Sequence, residues 1–291
     1  MSRYQKLFRI MGLVCLVDSE LPFTLVDSFD AFAVPAGEPD LIFELRAAET
    51  MDVSGYVCKQ TYEGDICYHI YENEEAWMKL SYMPRPPYEL RWCISRRFDD
   101  PKRYVYHIAE NWRVYLHKFD PFVPLGLPNF FMEHSALLLH SSVVCTEGRG
   151  ILFTAPSGTG KSTQADLWVK YHGAEIFNGD RGLIRQENGA YYVYGSPYAG
   201  SSYIYKDKRA PLRAIFVLRQ AEHNRLRPMG MKEKFLCLVS QFLLFREDET
   251  VMNRQMDAIM KLMAQVPVYM LECRPDRDAT DIVYEFLKEI D

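Results

Sequence analysis

The sequence predicts an α/β (α+β) protein in two parts: a β-rich domain over residues 1–125, then a mixed-sheet domain with C-terminal helices over 130–291. Three observations carry this. Short β-like runs separated by turn formers fill residues 3–120. The stretch 121–129 (PFVPLGLPN) holds three prolines and a glycine, so neither a helix nor a central strand can continue through it. Beyond it, a buried-strand pattern (GILFTA, 150–155), a glycine-rich loop and a helix pattern follow one another directly.

In the first part the β-like runs are 7–17, 41–45, 66–71, 76–82, 89–95, 104–108 and 112–116. In the second, strands are expected at 136–146 and 150–155, joined by the turn Glu147-Gly148-Arg149, then a helix from Lys161 to His172 closed by Gly173. Strands follow at 174–177, 190–194 and 213–219, helices at 231–246 and 250–265, a strand at 266–273 and an amphipathic helix at 278–289 capped by Asp278. Met252, Met256, Met260 and Met263 recur at helical spacing and read as core.

Composition narrows the function. The chain has 291 residues, 48% hydrophobic and 25% charged, the make-up of a globular protein with ample core. Its 17 Phe, 19 Tyr and 4 Trp suit strands as well as helices. A net charge of −5 argues against a protein that coats nucleic acid or an anionic membrane. The imbalance sits in residues 1–130, with 14 basic and 19 acidic side chains, whereas 131–291 holds 20 of each. Within 181–234, 11 Lys or Arg face four acids, which reads equally as a solvated face or as a site for anions. Seven cysteines, odd in number and without a C-x-x-C pair, read as free thiols of a reducing compartment. Asp18 ends the apolar run 10–17 and no small-x-small cleavage site follows, so a strand is expected there rather than a signal peptide. The apolar stretch 235–245 is too short to span a bilayer. A cytoplasmic protein without a membrane or nucleic-acid partner is expected, and assembly into a homo-oligomer stays open.

The chemistry is carried by Ala155, Pro156, Ser157, Gly158, Thr159, Gly160, Lys161, Ser162 and Thr163, which fit the P-loop pattern G-x-x-x-x-G-K-[ST] with Ala155 in place of the first glycine. Gly158 and Gly160 let the backbone turn its N–H groups around a phosphate, and the helix N-terminus adds its positive end. Lys161 suits the β and γ oxygens of ATP, and the Ser162 hydroxyl suits Mg²⁺. Such a site also needs a carboxylate at the end of a neighbouring strand. Asn178-Gly179-Asp180-Arg181 offers Asp180 there as metal ligand and catalytic group, while N-G-D also reads as turn chemistry.

The stretch LLLHSSVV (137–144), the P-loop with its strand, and Asn178-Gly-Asp-Arg181 together resemble the catalytic domain of the HPr kinase/phosphorylase-like family. That resemblance implies the fold shared with ATP-dependent phosphoenolpyruvate carboxykinase. It also makes His140 a candidate for orienting the transferred phosphate or acceptor hydroxyl. It spans about 130–291, is specific across 137–181, and does not extend to the first 120 residues. Two departures matter. The family carries two consecutive aspartates where this chain has Gly179-Asp180, and the Arg-Gly signature for HPr recognition is absent. Relatives found with ribosomal peptide modification, some of which phosphorylate a serine of a precursor peptide, are closer in character.

The function expected is thus an ATP- and Mg²⁺-dependent kinase acting on a hydroxyl, as in a serine of a peptide or protein. Lys161 and Arg181 would offset charge, and Asp180 or His140 would take or position the acceptor proton. The alternatives are a kinase of a small hydroxyl metabolite and a non-catalytic, ATP-gated binding module.

Overall fold

A computed structural model describes residues 3–63, 67–85, 89–245 and 248–290. Two expected element ends, Ile66 and Arg246, lie outside the described residues. The chain divides into two compact units, Met1–Leu125 and Gly126–Asp291.

The first unit holds β1 (Tyr4–Ile10), β2 (Leu13–Ser19), β3 (Leu41–Ala47), β4 (Val57–Tyr62), β5 (Cys67–Glu72), β6 (Ala76–Tyr82), β7 (Leu90–Arg97) and β8 (Arg103–Ile108). Among the described residues they form one sheet in the order β1-β2-β3-β8-β7-β6-β5-β4. The expected single run 7–17 is a hairpin, because Met11 and Gly12 both take positive φ (54° and 80°) and fold the chain back on itself. β4 has no apolar alternation to betray it, since its residues are almost all exposed. The core is aromatic. Phe8 meets Phe29 edge-on at 5.1 Å between ring centroids, and Phe43 meets Phe122 at 5.4 Å. The expected strand 112–116 is instead part of a 3-10 helix, Glu110–Lys118. There Trp112 and Tyr115, three residues apart, stack at 4.1 Å, and Arg91 lies 3.8 Å over the Trp112 ring. An i,i+3 stack is what a turn of three residues brings together and a strand cannot.

The second unit opens with α1 (Leu127–Glu133), whose Pro128 stands in its first turn, where a missing N–H costs nothing. Its strands are β9 (Ala136–Thr146), β10 (Arg149–Thr154), β11 (Glu175–Asn178), β12 (Arg181–Glu187), β13 (Ala190–Tyr194), β14 (Arg209–Gln220), β15 (Arg225–Pro228) and β16 (Val268–Cys273). The helices that follow α1 are α2 (Lys161–His172), α3 (Met231–Leu238), α4 (Glu249–Gln265) and α5 (Arg277–Glu289). The sheet runs β10-β9-β12-β13-β14-β16-β15, and β10 also pairs with β14 in parallel, so five of its strands close into a ring. β10 is buried on both faces. Leu152 joins a cluster with Leu238, Ile259 and Leu262, whereas Ile151 and Phe153 join one with Trp168, Val283 and Leu287.

Three further expectations are corrected. The helix expected at 231–246 ends at Leu238. A 3-10 turn, Val239–Gln241, follows, and Phe242 then bridges to Leu139, where a pairing position drew the chain out of helix. The cap of α5 is Asp276, which accepts from Ala279 N at 3.1 Å, and not Asp278. Met263 is fully buried but Met260 is 41% exposed, so the methionine stripe is core on one side only. All seven cysteines are free, and among the described residues no helix is long and apolar enough to cross a membrane.

Candidate active site around the phosphate loop

The loop leaves the C-terminal end of β10 and enters α2. Gly158 and Gly160 have φ of 79° and 114°, and no atom lies within 4 Å of where a Cβ would stand. Backbone conformation, not space, therefore demands glycine at both positions. Ala155 is 1% exposed and packs with Phe153 and Ala165, so the small residue in the first-glycine position belongs to the core beneath the loop. Gly160 caps α2 without a side-chain acceptor and the first turn carries no acid, which leaves the helix N-terminus open to an anion. Ser162 and Thr163 are exposed in that turn, as are Pro156 and Ser157 in the loop, whose Thr159 is half-buried. Lys161 is 7% exposed, and its Nζ donates to Ala155 O at 3.0 Å and Pro156 O at 3.4 Å. Burial lowers its pKa from the ordinary lysine value, with Asp180 opposing and Arg181 reinforcing the shift.

The carboxylate arrives from the turn between β11 and β12. Asn178, fully buried, shapes that turn. Its Oδ1 accepts from the backbone N–H groups of Asp180 (2.8 Å) and Arg181 (2.6 Å), while its Nδ2 donates to Ser196 O at 2.8 Å. β9 and β12 pair with His140 opposite Arg181. His140 Nε2 lies 3.1 Å from Asp180 Oδ1, and Arg181 Nε lies 3.3 Å from Asp180 Oδ2. Burial first, then Lys161 and Arg181, lower the His140 pKa against the pull of Asp180 and of a hydrogen bond with Gln241, so the imidazole is neutral at neutral pH. The four residues expected to do chemistry, His140, Lys161, Asp180 and Arg181, therefore stand together, each within electrostatic reach of the others.

Two glycines close the back of this group. Gly200, with φ of 54°, packs on Asp180 so tightly that a Cβ would stand 2.9 Å from the carboxyl carbon. At Gly179 a Cβ would fall 2.2 Å from Ser202 Oγ and 2.5 Å from Ser202 Cβ. The space a side chain at 179 would need is thus filled by Ser202. Gly179→Asp is expected to displace the 200–202 turn and lower stability by about 1–3 kcal/mol, without giving the protein dephosphorylating activity. Urea unfolding and a phosphate-release assay would check both parts.

Sequence reasoning missed Asn178 as an organiser, Ser196 as its support, Ser202 as the side chain against Gly179, and Gln241, which hydrogen-bonds the His140 ring. Asn-Gly-Asp was a signal for the first; nothing in the sequence pointed to the others. The basic surplus of 181–234 is mostly spent elsewhere. Lys206 and Lys208 both hold Glu175 (2.8 and 2.7 Å), Arg209 holds Glu187 (2.9 Å), and Arg227 holds Glu233 (2.6 Å). Arg181 is the one that meets Asp180. Beside the loop, a groove of about 530 Å³ runs from Ser157 and Thr159 past Arg219 and Leu236 to Gln241.

A family model described as SynChlorMet cassette protein ScmC matches residues 129–276. Among solved structures, the Hpr(Ser) kinase/phosphatase from Coxiella burnetii is similar with a TM-score of 0.31 and 13% sequence identity, covering 52% of this chain and 97% of that one. No curated protein matches.

Proposed function

Since this chain belongs to the SynChlorMet cassette protein ScmC family, we propose that the unit its family model largely covers is an ATP-dependent phosphotransferase. It moves the γ-phosphoryl group to a hydroxyl, and the acceptor is a serine of a peptide or protein. The observation that carries the reading is the meeting of a P-loop lysine with the His140–Asp180–Arg181 group.

The residues fit ATP with Mg²⁺. The buried Lys161 ammonium sits below an uncapped helix N-terminus, Ser162 is exposed in the first turn, and Asp180 supplies one carboxylate. Magnesium needs no larger protein cage, since one or two carboxylates and the substrate phosphates hold it; there it would neutralise charge on the transferred group. The loop N–H groups and Lys161 bind the β and γ phosphates, and the lysine exchanges its carbonyl partners for phosphate oxygens. Arg181 holds Asp180 from one side and His140 from the other, which fixes the carboxylate. Asp180 then orients the acceptor hydroxyl and takes its proton. One carboxylate serves both duties, so the protein runs as a forward kinase.

The test is γ-labelled ATP and Mg²⁺ offered with precursor peptides encoded beside the gene, with HPr, and with a panel of small hydroxyl metabolites. Label is expected on a peptide serine and not on HPr. Efficient HPr phosphorylation, or dephosphorylation of phospho-HPr by inorganic phosphate, would reject the reading. Label on a metabolite alone would establish the small-substrate alternative.

A further inference from the structure

The whole charge surplus of the chain lies in residues 1–125, with 14 basic and 19 acidic side chains, while 126–291 is balanced. In this first unit a cavity of about 680 Å³ opens where β6 and β7 end beside residues 49–51. Its floor is apolar: Leu80 is buried and Met51, Tyr82 and Leu90 are half-buried around it. Its mouth carries Glu49, Glu89 and Glu110, all exposed. The charges there do not balance. Arg113 is held between Glu110 at 2.6 Å and Glu49 at 3.9 Å, and Glu89 meets the neutral Asn111 amide at 2.9 Å. Next to the cavity the 3-10 helix leaves Val114 and Tyr115 64% and 59% exposed.

These features have one complement. A metal ion would leave the apolar floor bare, and an apolar ligand alone would desolvate carboxylates without pairing them. A Lys or Arg side chain fits both, because its methylene stem lies on apolar surface while its head stays at the charged rim. The exposed Val114 and Tyr115 give neighbouring apolar side chains of the same segment a place to lie. The geometry points to a docking site on the 1–125 unit for a peptide segment that carries a Lys or Arg beside apolar side chains. This deepens the kinase reading, since such a segment would be the acceptor's handle, but its test needs no phosphoryl transfer.

The experiment is fluorescence anisotropy on the full chain with two labelled probes of about a dozen residues, one alternating Lys and Leu, the other alternating Lys and Ser. Saturable binding is expected for the Lys/Leu probe and binding about tenfold weaker for Lys/Ser. Glu89→Gln/Glu110→Gln should weaken the Lys/Leu probe by about tenfold, whereas Glu38→Gln/Glu74→Gln, the same charge change elsewhere on the unit, should change it less than about twofold. Lys161→Ala should bind the probe like the parent, whatever the fate of the kinase reading. Equal loss in the two double variants, equal affinity for the two probes, displacement by spermine at matched charge, or loss of binding in Lys161→Ala would each overturn the assignment.

Discussion

Asp180→Asn is expected to lower phosphoryl transfer on the order of 10³-fold while MgATP still binds within a few-fold of the parent. The amide preserves the size of the side chain and its place opposite His140, so the turn built by Asn178 should stay intact. What it removes is the negative charge that pairs with Arg181 and, in the proposed function, would balance Mg²⁺ and take the acceptor proton. Single-turnover assays alongside calorimetric MgATP titrations separate the two effects. Full transfer by the variant would place the essential carboxylate elsewhere in the chain.

Lys161→Ala is expected to lower turnover by on the order of 10²-fold or more, and here nucleotide affinity falls as well. The ammonium is already desolvated, so in the proposed function it trades Ala155 O and Pro156 O for phosphate oxygens without a further loss of hydration. Its removal also relieves the burial of a charge, so the variant should unfold at a urea concentration no lower than the parent's. Retained turnover would dissociate the loop from the chemistry, whereas a collapse of stability would show that Lys161 holds the loop together instead.

The parts legible in the sequence were those where one local signal settles the structure. α2 spans Lys161–His172 as expected, because the loop glycines start it and Gly173, at φ of 60°, ends it. β9 likewise carries the apolar runs 136–139 and 143–145 on either side of His140-Ser141-Ser142, and Glu147 and Gly148 turn it into β10 with positive φ. β12 was missed although its signal was present. Asn188-Gly189, with φ of 49° and 85°, is a hairpin turn, and reading it would have placed a strand on each side. The 3-10 helix at Glu110–Lys118 was illegible for a different reason, since Trp, Val, Tyr and Leu in close succession carry a β preference that tertiary stacking overrode. At the site, residue types and order pointed to Lys161, Asp180 and Arg181, and the family resemblance pointed to His140; the fold brings the four together. Their supports, Ser196, Ser202 and Gln241, come from segments distant in sequence whose proximity only the closed sheet creates.

The contact between Gly179 and Ser202 also orders the substitutions by which a paired-aspartate site could arise in this chain. A carboxylate at 179 meets Ser202 Cβ at a distance no relaxation of the hydroxyl can relieve, so that change made first is penalised. Ser202→Gly made first empties that space and removes only the Ser202 hydrogen bonds to Ala199 O and Ile204 N. The two positions are therefore epistatic with a preferred direction. A library that randomises them together should recover paired carboxylates with glycine at 202 and not with serine.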